Sequence, residues 1–206
     1  MSAGAILLLG GRSVRMGAPK AGLDWHGTPL SAHVAGILAA AIDGPVVAVA
    51  QPDAPAPALP AGVELVRDAV PDEGPLRGLE AGLAALEGRT DRAFAASVDL
   101  PLLAPALVQG LLAALDDPAP DAAVPVVDGR RQPLAAAYRV AVLPALRALL
   151  AKGERSATAL TAAVPVRLLD ETALRALPGM AAADPDLRSL AGANTPAEWE
   201  RLVAGS

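Results

Sequence analysis

Short apolar runs, each closed off by glycine, proline or aspartate, alternate along this 206-residue chain with longer stretches of alanine and leucine. That alternation constrains the fold more than any other feature. Runs too short for an ordinary helix read as strands at residues 5–9, 46–50, 63–67, 93–98, 122–127 and 134–138. Between them, residues 29–41, 75–88 and 104–117 carry apolar side chains at helical spacing; the first two have proline near the start and glycine near or past the end. Residues 140–153 read as a further helix, and 156–170 as a short helix followed by a strand. In 194–205, Thr195 is placed to cap a last helix, with Pro196 at its first position and Glu198 and Glu200 near its positive end. Strands interleaved with helices bury themselves best as three layers, so the expected fold is α/β, a mostly parallel central sheet flanked by helices. No internal repeat marks a second domain, and residues 1–206 are expected to form one.

Composition narrows the chemistry. Hydrophobic residues make up 53% of the chain but aromatic ones only 2%, which points to a core of Leu, Val, Ala and Ile and gives little to stack single-stranded bases upon. The absence of cysteine excludes a disulfide framework, a thiolate metal site and a cysteine nucleophile, and suits a reducing compartment. A net charge of −5 argues against nucleic acid as a partner. Met1 to Ala5 carries no basic segment of a leader, and no breaker-free apolar run is long enough to span a membrane. The expectation is a cytoplasmic monomer with small-molecule partners. His26 and His33 are too few for a histidine metal site, and His33, within a helix, is expected to be structural.

The first strand runs into "LLLGGRSVRMGAPK", residues 7–20. A glycine-rich turn after a strand presents backbone N–H groups that can cradle an anion, and Arg12, Arg15 and Lys20 supply cations suited to a polyphosphate. The glycines fit neither G-x-x-x-x-G-K-S/T nor G-x-G-x-x-G opening directly into a helix, which disfavours a dinucleotide-dependent oxidoreductase. The plainer alternative is a solvated turn. Asp99 closes an apolar strand where ligands of parallel sheets gather, and a carboxylate there suits Mg²⁺ held against phosphate oxygens; its alternative is to cap the helix beginning near Ala104. Lys20 is expected to work with Asp99 across the tops of the strands. Asp68 also ends a strand, and Gly74 to Gly78 turn into a helix whose first amides could meet an anion. Asp72 and Glu73 read as solvated charges, Trp25 as the anchor of the loop before the first helix, and Trp199 as packing for the last helix.

The stretch "LLGGRSVRMGAPK" resembles the L-x-G-G-x-S-x-R-M-G-x-x-K signature of the molybdenum cofactor guanylyltransferases and their nucleotidyltransferase relatives, with Gly10, Gly11, Ser13, Arg15, Met16, Gly17 and Lys20 in register. "VRDAVPDEGPLRGL", "SVDLPLL", "RQPLAAAY" and the late "NTP" resemble the family's later blocks. The resemblance implies a Rossmann-like nucleotidyltransferase fold that moves GMP from GTP to the terminal phosphate of molybdenum-bearing molybdopterin with Mg²⁺. It makes Arg15, Lys20 and Asp99 catalytic, with Asp99 the metal ligand. Leu8, Leu9, Gly10, Gly11, Lys20, Asp68 and Asp99 would bind nucleotide, Asp68 at the guanine edge or the ribose. Gln132 and Asn194 would face the acceptor, as could Tyr138 if it is not core. Residues up to about 103 would hold nucleotide and the remainder the acceptor; a molybdenum-insertion protein and a recipient molybdoenzyme are implied as further partners. Two positions depart from the pattern, Gln51 and Gly192, where many members carry asparagine. Leu9-Gly10-Gly11 sides with guanylyl rather than cytidylyl transfer. Relatives that use CTP or a sugar phosphate, and a non-catalytic nucleotide-binding adaptor, are the alternatives.

Overall fold

The computed structural model describes residues 2–10, 19–68, 70, 73–116, 120–193 and 195–206. In chain order its strands are β1 (Ala3–Leu8), β2 (Asp24–Trp25), β3 (Thr28–Pro29), β4 (Val46–Ala50), β5 (Val63–Arg67), β6 (Arg92–Ser97), β7 (Ala122–Val127), β8 (Arg130–Arg131), β9 (Ala135–Arg139) and β10 (Val166–Leu169). The helices are α1 (Leu30–Ala41), α2 (Pro75–Leu86), α3 (Pro105–Ala113), α4 (Leu143–Ala151), α5 (Ala157–Ala163), α6 (Glu171–Arg175), α7 (Met180–Ala183) and α8 (Pro196–Ala204). One sheet takes the order β10-β7-β9-β6-β1-β4-β5, with β8 added to β7, while β2 and β3 form a separate ribbon.

Both faces of this sheet are buried, which is why its central strands read as continuous apolar runs. Successive side chains of a strand point to opposite faces. On β1, Ala5 and Leu7 accordingly join Leu30, Val34 and Leu38 of α1 and Leu107 and Leu111 of α3, whereas Ile6 and Leu8 join Leu76, Leu79, Leu83 and Leu86 of α2 and Leu146 of α4. Helix α2 lies especially close. A β-carbon at Gly82 would come within 2.4 Å of Ile6 Cγ2, so the missing side chain sets the approach of helix to sheet.

The expected three-layer, mostly parallel architecture is found: β1 pairs in parallel with β4 and β6, β4 with β5, and β7 with β10. Strand β9 departs from that rule, lying antiparallel between β6 and β7. Asp128 and Gly129, at φ +50° and +69°, turn β7 back into β8 and so launch this return strand. Three shorter segments are also new relative to the sequence reading: the β2–β3 ribbon, turned by His26 and Gly27 at positive φ, and helices α6 and α7. Helix α3 is shorter than expected, and Ala104 before it is capped by Ser189 rather than by Asp99; the Ser189 hydroxyl accepts from Ala104 N at 2.8 Å. Thr195 does cap α8, accepting from Glu198 N while Glu198 accepts from Thr195 N. Among the described residues no helix is long and apolar enough to cross a membrane.

Candidate active site

Because β1, β4, β5 and β6 run in parallel, the residues that follow them share one edge of the sheet. The ladder continues one bond past the strands: Leu9 N donates to Val49 O, Asp68 N to Ala50 O and Val98 N to Leu8 O, at 2.9, 2.8 and 3.0 Å. These bonds fix the backbone at Leu9 and Asp68, and just ahead of Asp99. Above the edge opens a cleft, lined among others by Leu8, Gly10, Gln51, Asp68, Gly74 and Ser97.

Helix α2 points its first turn at the cleft. Gly74 before it has φ +80°, and a β-carbon there would meet Arg155 O at 2.8 Å; the same carbonyl accepts from Leu76 N. Gly78 passes Leu8 so closely that a β-carbon would lie 3.3 Å from Leu8 Cδ2. Asp68 is almost wholly buried at the cleft wall, and its Oδ1 accepts from Val70 N at 3.3 Å. Glu73 pairs with Arg77 one turn on, at 2.5 Å, as a helix-surface charge.

Two residues beyond Ser97, Lys20 Nζ donates to Asp99 Oδ2 at 2.7 Å across 79 positions of sequence. Only 17% and 18% of the two side chains is exposed, so they attract more strongly than a fully solvated pair. Lys20 opens a 3₁₀ turn, Lys20–Gly22, closed by Gly22 N on Pro19 O and Leu23 N on Lys20 O. Gly192 lies on the other side of Asp99: a β-carbon at 192 would stand 3.2 Å from Asp99 O.

Of the residues expected at the site, Leu8, Gly10 and Asp68 line the cleft, Leu9 follows β1 beside it, and Lys20 and Asp99 form the ion pair. Gln132 sits in the turn into β9, its N–H on Pro125 O; the cleft is lined instead by Leu134, whose carbonyl accepts from Ser97 N. Tyr138 is core: it is fully buried, and its hydroxyl donates to Pro133 O at 2.7 Å, which holds that turn. Gly11, Arg15 and Asn194 lie outside the described residues, as do Arg12, Ser13, Met16, Gly17 and Asp72. The sequence reading missed Ser97 and Leu134, whose place at the cleft follows from the antiparallel pairing of β6 with β9. Among the described residues no three histidines or carboxylates gather to hold a metal alone. A single carboxylate nevertheless suits Mg²⁺ that arrives with a nucleotide, since this ion keeps its waters and binds one or two carboxylates together with phosphate oxygens.

A cleft above the carboxyl edge of a parallel sheet, walled by glycines and flanked by a lysine–aspartate pair, is the arrangement of a nucleotidyltransferase. Residues 5–170 match the family described as MobA-like NTP transferase domain, and the chain belongs to that family. A protein of Mycobacterium tuberculosis (strain ATCC 25618 / H37Rv), named probable molybdenum cofactor guanylyltransferase, is 38% identical over 158 residues, 75% of this chain and 77% of its own. The fold is similar to that of molybdopterin-guanine dinucleotide biosynthesis protein A from Archaeoglobus fulgidus, with a TM-score of 0.78 at 21% identity over 98% of this chain and 97% of that one. It is also similar to a Mycobacterium tuberculosis H37Rv protein solved in complex with manganese, with a TM-score of 0.68 at 18% identity over the whole of both chains.

Proposed function

We propose that this protein transfers GMP from GTP to the terminal phosphate of molybdenum-bearing molybdopterin. An acceptor phosphate oxygen bonds to the α-phosphorus, the bond from that phosphorus to the bridging oxygen breaks, and pyrophosphate leaves. The product is the guanine dinucleotide form of the cofactor. The observation that carries the reading is the Lys20–Asp99 pair standing two residues past the wall of a cleft at the carboxyl edge of the sheet.

No protein nucleophile is needed when the acceptor is itself a phosphate, so positioning and charge neutralisation do the work. Leu8 to Gly11 bring backbone up to the nucleoside, and Asp68 accepts from the N1 and N2 hydrogens of guanine or from the ribose. Lys20, with Arg15, neutralises the triphosphate. Asp99 would hold Mg²⁺, which when bound offsets charge on the phosphate oxygens. Gln132 and Asn194 face the acceptor. In this reading the chain works as one domain and as a cytoplasmic monomer, its first 103 residues or so serving the nucleotide.

Thermal unfolding in the presence of Mg²⁺ and GTP, CTP or ATP tests the base assignment, because a ligand of the folded state raises the midpoint by mass action. GTP is expected to give the largest shift. Equal shifts for all three would refute the guanine assignment, and a larger shift with CTP would favour a cytidylyl relative.

A further inference from the structure

We propose that His33 is a positioning residue for Asp99; the inference rests on the reading of Asp99 as the carboxylate that works with the nucleotide's phosphates and their cation. Asp99 belongs to no helix or strand. It lies in the irregular stretch between the end of β6 at Ser97 and the start of α3 at Pro105. Partners outside that stretch hold its backbone at Val98, Pro101 and Ala104. Val98 N donates to Leu8 O at 3.0 Å ahead of Asp99, and Ala104 N donates to the Ser189 hydroxyl at 2.8 Å behind it. Between these, His33 Nε2 meets Pro101 O at 2.8 Å. A carbonyl only accepts, so Nε2 carries the proton and the ring is the donor.

Proline offers no N–H of its own, so Pro101 can be held by a polar contact only through its carbonyl. His33 reaches it from α1, a rigid helix anchored in the core by Leu30, Val34 and Leu38. Trp25 holds the imidazole from the other side, with ring centres 5.6 Å apart and planes tilted by 32°. Trp25 is in turn braced by Trp199 at 5.6 Å and by the edge of His26 at 5.0 Å. It also lies in β2, directly after the 3₁₀ turn that begins with Lys20. The contacts therefore close a ring: Lys20 leads through the chain to Trp25, Trp25 holds His33, His33 holds Pro101, and Asp99 two residues back grips Lys20. The salt bridge fixes the carboxylate from its head, and His33 fixes the backbone that carries it.

Binding rather than turnover separates this role from simple structural support. Water-proton relaxation can be titrated with Mn²⁺ on the protein–GTP complex for the wild type, His33→Phe, His33→Gln and Asp99→Asn. His33→Phe keeps a ring against Trp25 and removes the donor, and it is expected to weaken Mn²⁺ binding by about tenfold, the size of effect seen when an outer partner of a metal ligand is lost. Metal-free GTP affinity should stay at the wild-type value. His33→Gln, whose amide N–H can reach the same carbonyl, should recover most of the loss. If Phe disturbs folding, His33→Asn removes the reach while keeping a polar side chain and is read in the same way. Wild-type Mn²⁺ affinity in His33→Phe and His33→Asn, alongside weakened binding in Asp99→Asn, overturns the role of His33 alone. Wild-type affinity in Asp99→Asn overturns the reading of Asp99 beneath it.

Discussion

Lys20 and Asp99 meet at 2.7 Å, and under the proposed function an arriving polyphosphate would exchange that contact for lysine to phosphate and aspartate to the accompanying cation. Lys20→Ala should lower turnover at saturating GTP by about 10²-fold, the cost of losing one preorganised electrostatic donor, as read by pyrophosphate release. An unchanged rate would remove Lys20 from the chemistry. Tyr138 gives a residue-scale prediction of another kind. Burial pushes its phenol well above the ordinary tyrosine range, so the folded protein keeps this proton where the unfolded chain, with a pKa of about 10, gives it up. Above that pH the unfolded state binds fewer protons, and stability must fall as pH rises. Tyr138→Phe should flatten that alkaline fall in melting temperature and cost about 1 kcal/mol at neutral pH for the lost bond to Pro133 O. Parallel pH profiles for the two proteins would contradict this.

At the scale of elements, the seat of α2 on β1 matters most, because this helix delivers Gly74 and Gly78 to the cleft. Alanine at position 82 would gain up to about 1 kcal/mol of helix propensity. It would also press a methyl group to 2.4 Å from the branched side chain of Ile6, which cannot swing away. Overpacking wins, and Gly82→Ala should destabilise by about 1–3 kcal/mol, visible as a lower denaturant midpoint at unchanged slope. The elements themselves were largely legible in the sequence. Burial on both faces writes an uninterrupted apolar run, and strands β4 and β7 fall where such runs place them; β5, a half-exposed edge strand, is legible from its β-branched residues between turn signals. Direction is not written in such a run, so residues 134–138 read as a strand of no stated direction, although Asp128-Gly129 carried the signal of a reversal. The β2–β3 ribbon, α6 and α7 are shorter than the periods that would reveal them. At the candidate site, Asp68 and Asp99 were legible as carboxylates at strand ends, and Lys20 as a cation of the glycine-rich stretch that follows β1. The closeness of Gly192 to Asp99 was not, because a backbone approach between distant residues leaves no pattern in either segment.

Across the whole molecule, the last part of the chain comes back to the first. Trp199 of α8 packs on Trp25, His26 Nε2 meets the Ser206 hydroxyl at 2.8 Å, and Ser189 reaches back 85 positions to Ala104 N. These long returns were invisible in the sequence, where Trp25 and Trp199 read as separate anchors. They also impose an order on assembly. A chain made from its N-terminus can lay down β1, β4, β5 and α2, and with them most of the groove, while synthesis continues. Ser189 and α8 emerge last, so Ala104 N, behind Asp99, meets its side-chain partner only after the residues that line the groove have been made. Vectorial synthesis thus completes the lining of the groove before it makes the segment that braces the backbone behind Asp99.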